Sequence, residues 1–300
     1  MILVVGGTGD LGGRVVRLLR GEGEQVRCLV RPATSAEELD SAGVAVVRGD
    51  LIDHGSLPAA VEGIDTVVVT ATAIARRLAD AGSPTIREVD EVGVTALVEA
   101  AERAGVARFV YLSYARRGDG LGTPLERAKH AVERRLAGTS MRTVVVRPDA
   151  FQEIHLAPVG RFDVVRRKVA VVGKGDTKRR WVATEDVAAL VARLAVEDDP
   201  PDVVEVGGPE ALTRNEAIAV AERAAGGRIK VRRLPLGAAR LLVRVLGDRR
   251  DALASVFGTG VMMDTTPARW DDGPLRARGI TGRTATAWIE SLASVPADGP

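Results

Sequence analysis

The chain has 300 residues, 46% of them apolar and 27% charged, with a formal net charge of +2. That composition excludes a disordered segment and supplies no basic excess for a nucleic acid, while the length suits one large α/β domain or two modest ones. A single cysteine, Cys28, excludes an intrachain disulfide and suits a reducing, cytoplasmic compartment; His54, His130 and His155 are scattered, so no metal site is expected.

"MILVVGG" lacks a basic leader region and its apolar run is too short for a membrane span, so no membrane partner is expected. Residues 2–5 read as a core strand, followed by β-branched strands at 25–30, 44–47, 66–70, 108–113 and 143–148. Several are apolar on consecutive residues, the pattern of parallel strands covered on both faces. Helical stretches lie between them: 11–21, ending at a glycine; 89–106, with Val92, Leu97, Val98 and Ala101 on one side; and 124–136, with Leu125, Ala128, Val132 and Leu136 on one face. Such alternation predicts a doubly wound parallel sheet with right-handed crossovers.

After Val146 the rhythm loosens. A strand is expected at 169–173, a helix at 184–198 with Thr184 as N-cap, and a strand at 203–208. A helix then opens on Thr213 with Glu216 in the capping-box position, and two more follow at 234–247 and 250–258. The tail from Ala293 is expected to fray. The expected fold is α/β: a Rossmann-type sheet with a smaller C-terminal α/β lobe packed on it. Residues 1–150 form the NAD(P)-binding part and 151–300 the substrate or partner lobe, with no linker between them.

The strongest signal is "VVGGTGDLGGRVV", in which Gly7, Gly9 and Gly12 have GxGxxG spacing between a strand and a helix. In this reading Gly7 permits the tight turn, Gly9 lets backbone approach a pyrophosphate, and Gly12 lets helix and strand pack closely. Gly6, Thr8, Asp10 and Leu11 complete the loop, whose helix offers free N–H groups to phosphate. Past the second strand stands Arg31, with no adjacent acid; a guanidinium accepts a 2′-phosphate where a carboxylate would repel it, so NADP(H) is favoured over NAD(H). Thr34 and Ser35 are possible helpers. Asp50 and Leu51 of "GDLID" either border the adenine or form a turn that caps the next helix. Thr70, Ala71 and Thr72, after the fourth strand, fall at the crevice of the topological switch point. Pro148, Phe151 and His155 follow the sixth strand, where an aromatic suits a flat substrate and an imidazole is a candidate acid. The basic run Arg166, Arg167, Lys168, Lys174, Lys178, Arg179 and Arg180 reads as a solvated rim or as a wall for an anion.

"GGTGDLG", Arg31, "GDL", "VDEVGVTALVEAAERAGVARFVYLS", the lysine of "ERAKHAVE", "VVVRPDAF" and "WVATEDVA" occur in an order that resembles the atypical short-chain dehydrogenase/reductases, the NmrA-like branch above all. The likeness covers most of residues 1–225 and is loose beyond Leu234. It implies an NADP(H)-binding Rossmann domain with a small substrate lobe, in a branch that holds quinone and isoflavone-type reductases and redox sensors without turnover. In the wider superfamily a serine, a tyrosine and a lysine cooperate: tyrosine delivers the proton, and lysine holds the ribose and lowers the tyrosine's pKa. Ser113 matches the serine and Lys129 the lysine, but Leu125 stands where the tyrosine belongs. Tyr114 is a replacement donor by position only, and Lys129 is either a ribose ligand or a solvent-facing helix residue.

Two functions remain in view. One is an NADPH-dependent oxidoreductase that passes hydride to a small planar electrophile such as a quinone or enone, which needs no phenol. The other is a non-catalytic NADP(H)-sensing regulator acting through a protein partner.

Overall fold

The computed structural model describes residues 1–114 and 120–294. Its strands are β1 (Ile2–Val5), β2 (Val26–Val30), β3 (Ala45–Arg48), β4 (Thr66–Val69), β5 (Arg108–Leu112), β6 (Arg142–Pro148), β7 (Phe162–Asp163), β8 (Lys168–Val172), β9 (Val203–Val206) and β10 (Lys230–Leu234). The helices of the first half are α1 (Asp10–Gly21), α2 (Glu37–Ser41), α3 (Leu57–Val61), α4 (Ile74–Ala79), α5 (Val94–Arg103) and α6 (Pro124–Leu136). Then come α7 (Gln152–His155), α8 (Thr184–Val196), α9 (Arg214–Ala224), α10 (Leu236–Leu246), α11 (Asp251–Thr265), α12 (Gly273–Arg276) and α13 (Ala285–Ala293).

Seven parallel strands form the main sheet in the order β3-β2-β1-β4-β5-β6-β9. The chain winds outward from β1 to β3, then returns to the far side of β1 with β4, so the crevice opens between the ends of β1 and β4. Every residue of β1 and β4 is buried, which is why β1 reads as an unbroken apolar run and β4 as three valines after Thr66. Leu3, Val5, Val67, Val69, Phe109 and Tyr111 share one core with residues of α3, α5 and α6. Val4, Val68, Val110, Val144 and Val146 share the other with α1 and α8. Both α8 and β9 come from beyond residue 150 to complete this sheet.

The smaller sheet has the order β10-β8-β7 and packs on α9 and α13 through Phe162, Val171, Ile218 and Ile289. Two of its strands escape sequence reading: β7 has two residues, and β10 is "KVRRL", half-exposed and charged. The last of the expected helices does not stop at Gly258. It runs on as α11 to Thr265, and its glycines serve close approach: a Cβ at Gly258 would lie 2.2 Å from Thr123 Cγ2, and one at Gly260 2.8 Å from Val172 Cγ2. α11 thereby joins α6 of the main body to β8 of the lobe.

Two local expectations change. Val92 is 38% exposed, because residues Arg87–Gly93 form a π-helical segment that rotates the helix ahead of Leu97, Val98 and Ala101, which are buried. Thr184 is the first helical residue and not the cap; its N–H and hydroxyl both donate to Glu153, at 3.0 and 2.8 Å. Thr213 and Glu216 do form the reciprocal capping box. Of the tail expected to fray from Ala293, Ala293 itself still closes α13, and residues 295–300 lie outside the described residues. Among them, no helix is long and apolar enough to cross a membrane.

Candidate functional site

The turn after β1 is made at Gly6, whose φ is +102°, and not at Gly7. Only a glycine fits, since a Cβ at Gly6 would lie 2.7 Å from the Ala71 nitrogen. Gly7 is needed for another reason: its Cβ would meet Cys28 Sγ at 2.6 Å. Gly12 has the role expected of it, because a Cβ there would sit 2.1 Å from the Gly6 carbonyl oxygen. Thr8, Gly9 and Asp10 form an exposed crest, and among the described residues no side chain caps α1. The first N–H groups of α1 are thus left for an anion, the arrangement that accepts phosphate. The Asp10 carboxylate, which would repel one, is engaged by Arg14 Nε at 2.9 Å. Leu11 packs on the core shared by α1 and α8.

Across the crevice, Thr70 and Ala71 both donate backbone N–H to the Val5 carbonyl, at 2.9 and 3.1 Å. The Thr70 hydroxyl bonds the same oxygen at 3.3 Å, so the two crevice loops are locked together. Thr72 is exposed. At the adenine end, Arg31 is exposed and its guanidinium has no ion-pair or hydrogen-bond partner among the described residues. Arg48 Nη1 fixes the loop that carries it, donating to the carbonyls of Thr34 at 2.6 Å and Arg31 at 3.2 Å. Sequence reading missed Arg48, which sits at the end of β3. Asp50 is the turn acid, accepting from the Ile52 N–H at 3.3 Å. Leu51 is 5% exposed and packs in the core, where Gly93 leaves room for its carbonyl.

Lys129 is not a solvent-facing lysine. It is 7% exposed and donates Nζ to the Leu112 carbonyl at 3.1 Å, at the carboxyl end of β5. Asp90 Oδ1 lies 3.7 Å away, and the ring centroid of Tyr111 lies 4.9 Å away. Burial pushes the Lys129 ammonium below its usual range and the Asp90 carboxyl above its own, each opposed by the other's charge. Asp90 also escaped sequence reading. The signal was there: Ile86, Val89, Asp90, Gly93 and Leu97 share helical spacing, which sets an acid on a buried face.

The proton donors expected nearby are differently placed. Ser113 is buried, and its hydroxyl, with the Arg147 guanidinium, holds the Glu133 carboxyl below its usual range against the effect of burial. Arg147 clasps Glu133 with two bonds of 3.1 and 2.6 Å. β5 ends at Leu112, so strand alternation does not govern Tyr114, which is half-buried. Leu125 packs against the core beside α6, its N–H held by Ser255 Oγ of α11 at 3.2 Å. Tyr111 is fully buried, and its hydroxyl has no hydrogen-bond partner among the described residues; burial and the Asp90 charge push it well above the usual phenol range.

Pro148 is buried at the end of β6, opposite Val206. Phe151 is half-buried against the same core as Leu11 and Leu112. Burial and the nearby guanidinium groups of Arg214 and Arg179 push the His155 imidazole down to about 3, away from the range of a general acid near neutrality. The basic run divides. Arg179 is 1% exposed and ion-paired with Asp149, which also accepts from the Arg180 N–H and Trp270 Nε1. Lys168, Lys174 and Lys178 stay exposed.

The sequence profile of the NmrA-like family matches residues 1–248. The photosystem II assembly factor Ycf39 of Trieres chinensis is 31% identical over 247 residues, 82% of this chain and 76% of that one. An NAD(P)H azoreductase of Xenophilus azovorans is 28% identical over 302 residues, covering 97% and 96% of the two chains. Among solved structures, an NADPH-dependent quinone oxidoreductase of Escherichia coli in complex with NADPH superimposes with a TM-score of 0.76 at 22% identity, covering 97% of this chain and 99% of that one. The Citrobacter sp. triphenylmethane reductase complexed with NADP(H) gives 0.75 at 18% identity, covering 97% and 100%.

Proposed function

The chain belongs to the NmrA-like family, and we propose that it is an NADP(H)-binding reductase acting on a small planar electrophile such as a quinone, an enone or an azo compound. The observation that carries this reading is the buried Lys129, held at the end of β5 in a chain whose glycine loop has no room for a Cβ at Gly6, Gly7 or Gly12. Burying an ammonium is costly unless the charge is used, and a ribose diol beside the crevice gives it a partner. In this reading Gly6, Gly9, Gly12 and the start of α1 hold the pyrophosphate. Thr70 and Ala71 form the opposite wall, and the unpaired Arg31 meets a 2′-phosphate, which favours NADP(H) over NAD(H). The first 150 residues then carry the cofactor, while the later lobe shapes the substrate face.

Bound there, the reduced nicotinamide supplies a hydride. A quinone or azo acceptor becomes a stabilised anion that solvent protonates, so no phenol is required at Leu125. The relatives named as an azoreductase and a quinone oxidoreductase support this choice of acceptor. A second reading, a cofactor-binding regulator without turnover, is favoured by one cluster of observations. Leu125 is apolar, Ser113 is turned to Glu133 and the Tyr111 hydroxyl is sealed, so no free hydroxyl stands beside Lys129 at these positions. The resemblance to an assembly factor supports it too.

Incubation with NADPH and a panel of quinones and azo dyes separates the two. Loss of absorbance at the reduced-nicotinamide band supports the reductase. Tight binding of NADP⁺ and NADPH with no turnover supports the regulator, and binding of neither sinks both.

A further inference from the structure

Asp90 is an isolated carboxylate in the core of the main body, 0% exposed, on the π-helical segment Arg87–Gly93. Its two oxygens face different elements. Oδ2 accepts the Ala73 N–H at 2.8 Å, at the start of α4, where the loop after β4 leaves the crevice. Oδ1 has no hydrogen bond within 3.5 Å among the described residues and faces Lys129 Nζ at 3.7 Å. A buried carboxylate oxygen left without a donor is expensive, and structures keep such groups where they serve a neighbour. A π-helical turn is a local departure from the α-helix found often at functional sites, and here it lies where an acid on α5's approach meets a lysine on α6.

We infer that Asp90 is a positioning residue for Lys129: it holds the ammonium in place at the end of β5 and ties it to the crevice wall through Ala73. The inference rests on the reading that Lys129 contacts the cofactor ribose. The groups that face the pair are few. Lys129 meets Asp90 from the π-helical segment, the Tyr111 ring and the Leu112 carbonyl from β5, and Glu133 one turn along its own helix, which Arg147 already neutralises. Asp90 meets Lys129, the Thr72 hydroxyl and Ala73 N–H from the loop after β4, and Tyr111. Among the described residues, no other carboxylate comes within 4.0 Å of Nζ. Desolvation drives the lysine towards its neutral form, and the Asp90 charge is the main effect opposing it. Without Asp90 the lysine would lose its proton at lower pH and lose one of the two contacts that aim it.

The test uses the full chain with Asp90→Asn, ¹⁵N-lysine labelling and NADPH as the probe. The Lys129 nitrogen is followed by NMR across pH, and the NADPH dissociation constant is measured over the same range. The expected result is a Lys129 midpoint displaced to lower pH in Asp90→Asn. The NADPH dissociation constant should rise about tenfold at the alkaline end, where the variant's lysine has lost its proton, and change little at the acid end. An unchanged midpoint with an unchanged pH profile, whatever the melting temperature does, overturns the inference. Should Asp90→Asn fail to fold, the double variant Asp90→Asn/Lys129→Met decides. Recovery of folding supports the coupling, because it removes the stranded charge; continued failure assigns Asp90 to the Ala73 bond alone and overturns it. If the wild type binds no NADPH, the ribose reading fails, while the NMR midpoints still decide the pairing.

Discussion

A methyl group at Gly12 would have nowhere to go. In Gly12→Ala the new Cβ starts 2.1 Å from the Gly6 carbonyl oxygen and 2.6 Å from its carbon, while ordinary contact begins at 3.4 Å. The obstructing atoms are backbone, so they cannot swing aside. α1 must retreat by roughly 1.3 Å, the gap between 2.1 and 3.4 Å. Overpacking of this kind costs about 1–3 kcal/mol of stability. The retreat also draws the free N–H groups of α1 away from a bound pyrophosphate, and one charge-assisted hydrogen bond is worth about 1.5–3 kcal/mol. The NADPH dissociation constant should therefore rise at least about tenfold, measured by titration calorimetry alongside a thermal melt. Gly21→Ala is the control in the same helix: its Cβ meets nothing within 4 Å, so it should leave binding intact and stabilise by up to about 1 kcal/mol. If Gly12→Ala bound NADPH as tightly as the wild type, the glycine loop would not be the pyrophosphate cradle.

Arg31→Ala should narrow the preference for NADPH over NADH by weakening NADPH alone; equal loss for both cofactors would remove Arg31 from the 2′-phosphate. Asp149→Ala strands the buried Arg179 guanidinium and should cost about 3–5 kcal/mol, read from urea denaturation, with a small effect pointing to water replacing the carboxylate. His155 supplies a pH signature. Its folded-state value of about 3 lies below the ordinary 6.5, so the unfolded chain takes up protons first, and stability present above about 6.5 is lost as pH falls towards 3. In His155→Gln that acid slope should flatten, and identical slopes for variant and wild type would refute the burial argument.

The parallel strands were legible because burial on both faces fills β1 and the rest of β4 after Thr66 with apolar residues. The glycine loop was legible for the same kind of reason, since backbone contact at Gly12 tolerates no side chain. Spacing alone misassigned the turn to Gly7, because it cannot tell a positive φ from the pressure of a residue such as Cys28 in the next strand. Lys129 was found, but its burial was not, because the charge that accompanies it comes from Asp90, 39 positions earlier. α11 was cut short at Gly258 since a helix interior and a helix stop can carry the same residue; contact with Thr123 settles which. Arg179 looked like rim and is core, because its partner Asp149 lies on another element.

The order in which the main sheet closes has a bearing on how the protein is made. β9 is the outermost strand beside β6, and α8 covers the face that β1, β4, β5 and β6 share with α1. A nascent chain emerging from the ribosome therefore carries a bare β6 edge and an uncovered valine surface until Val206 is out. Edges of that kind invite pairing with a neighbouring strand, so slowed translation across residues 150–206 should leave the chain more dependent on chaperones than the same pause placed after β9.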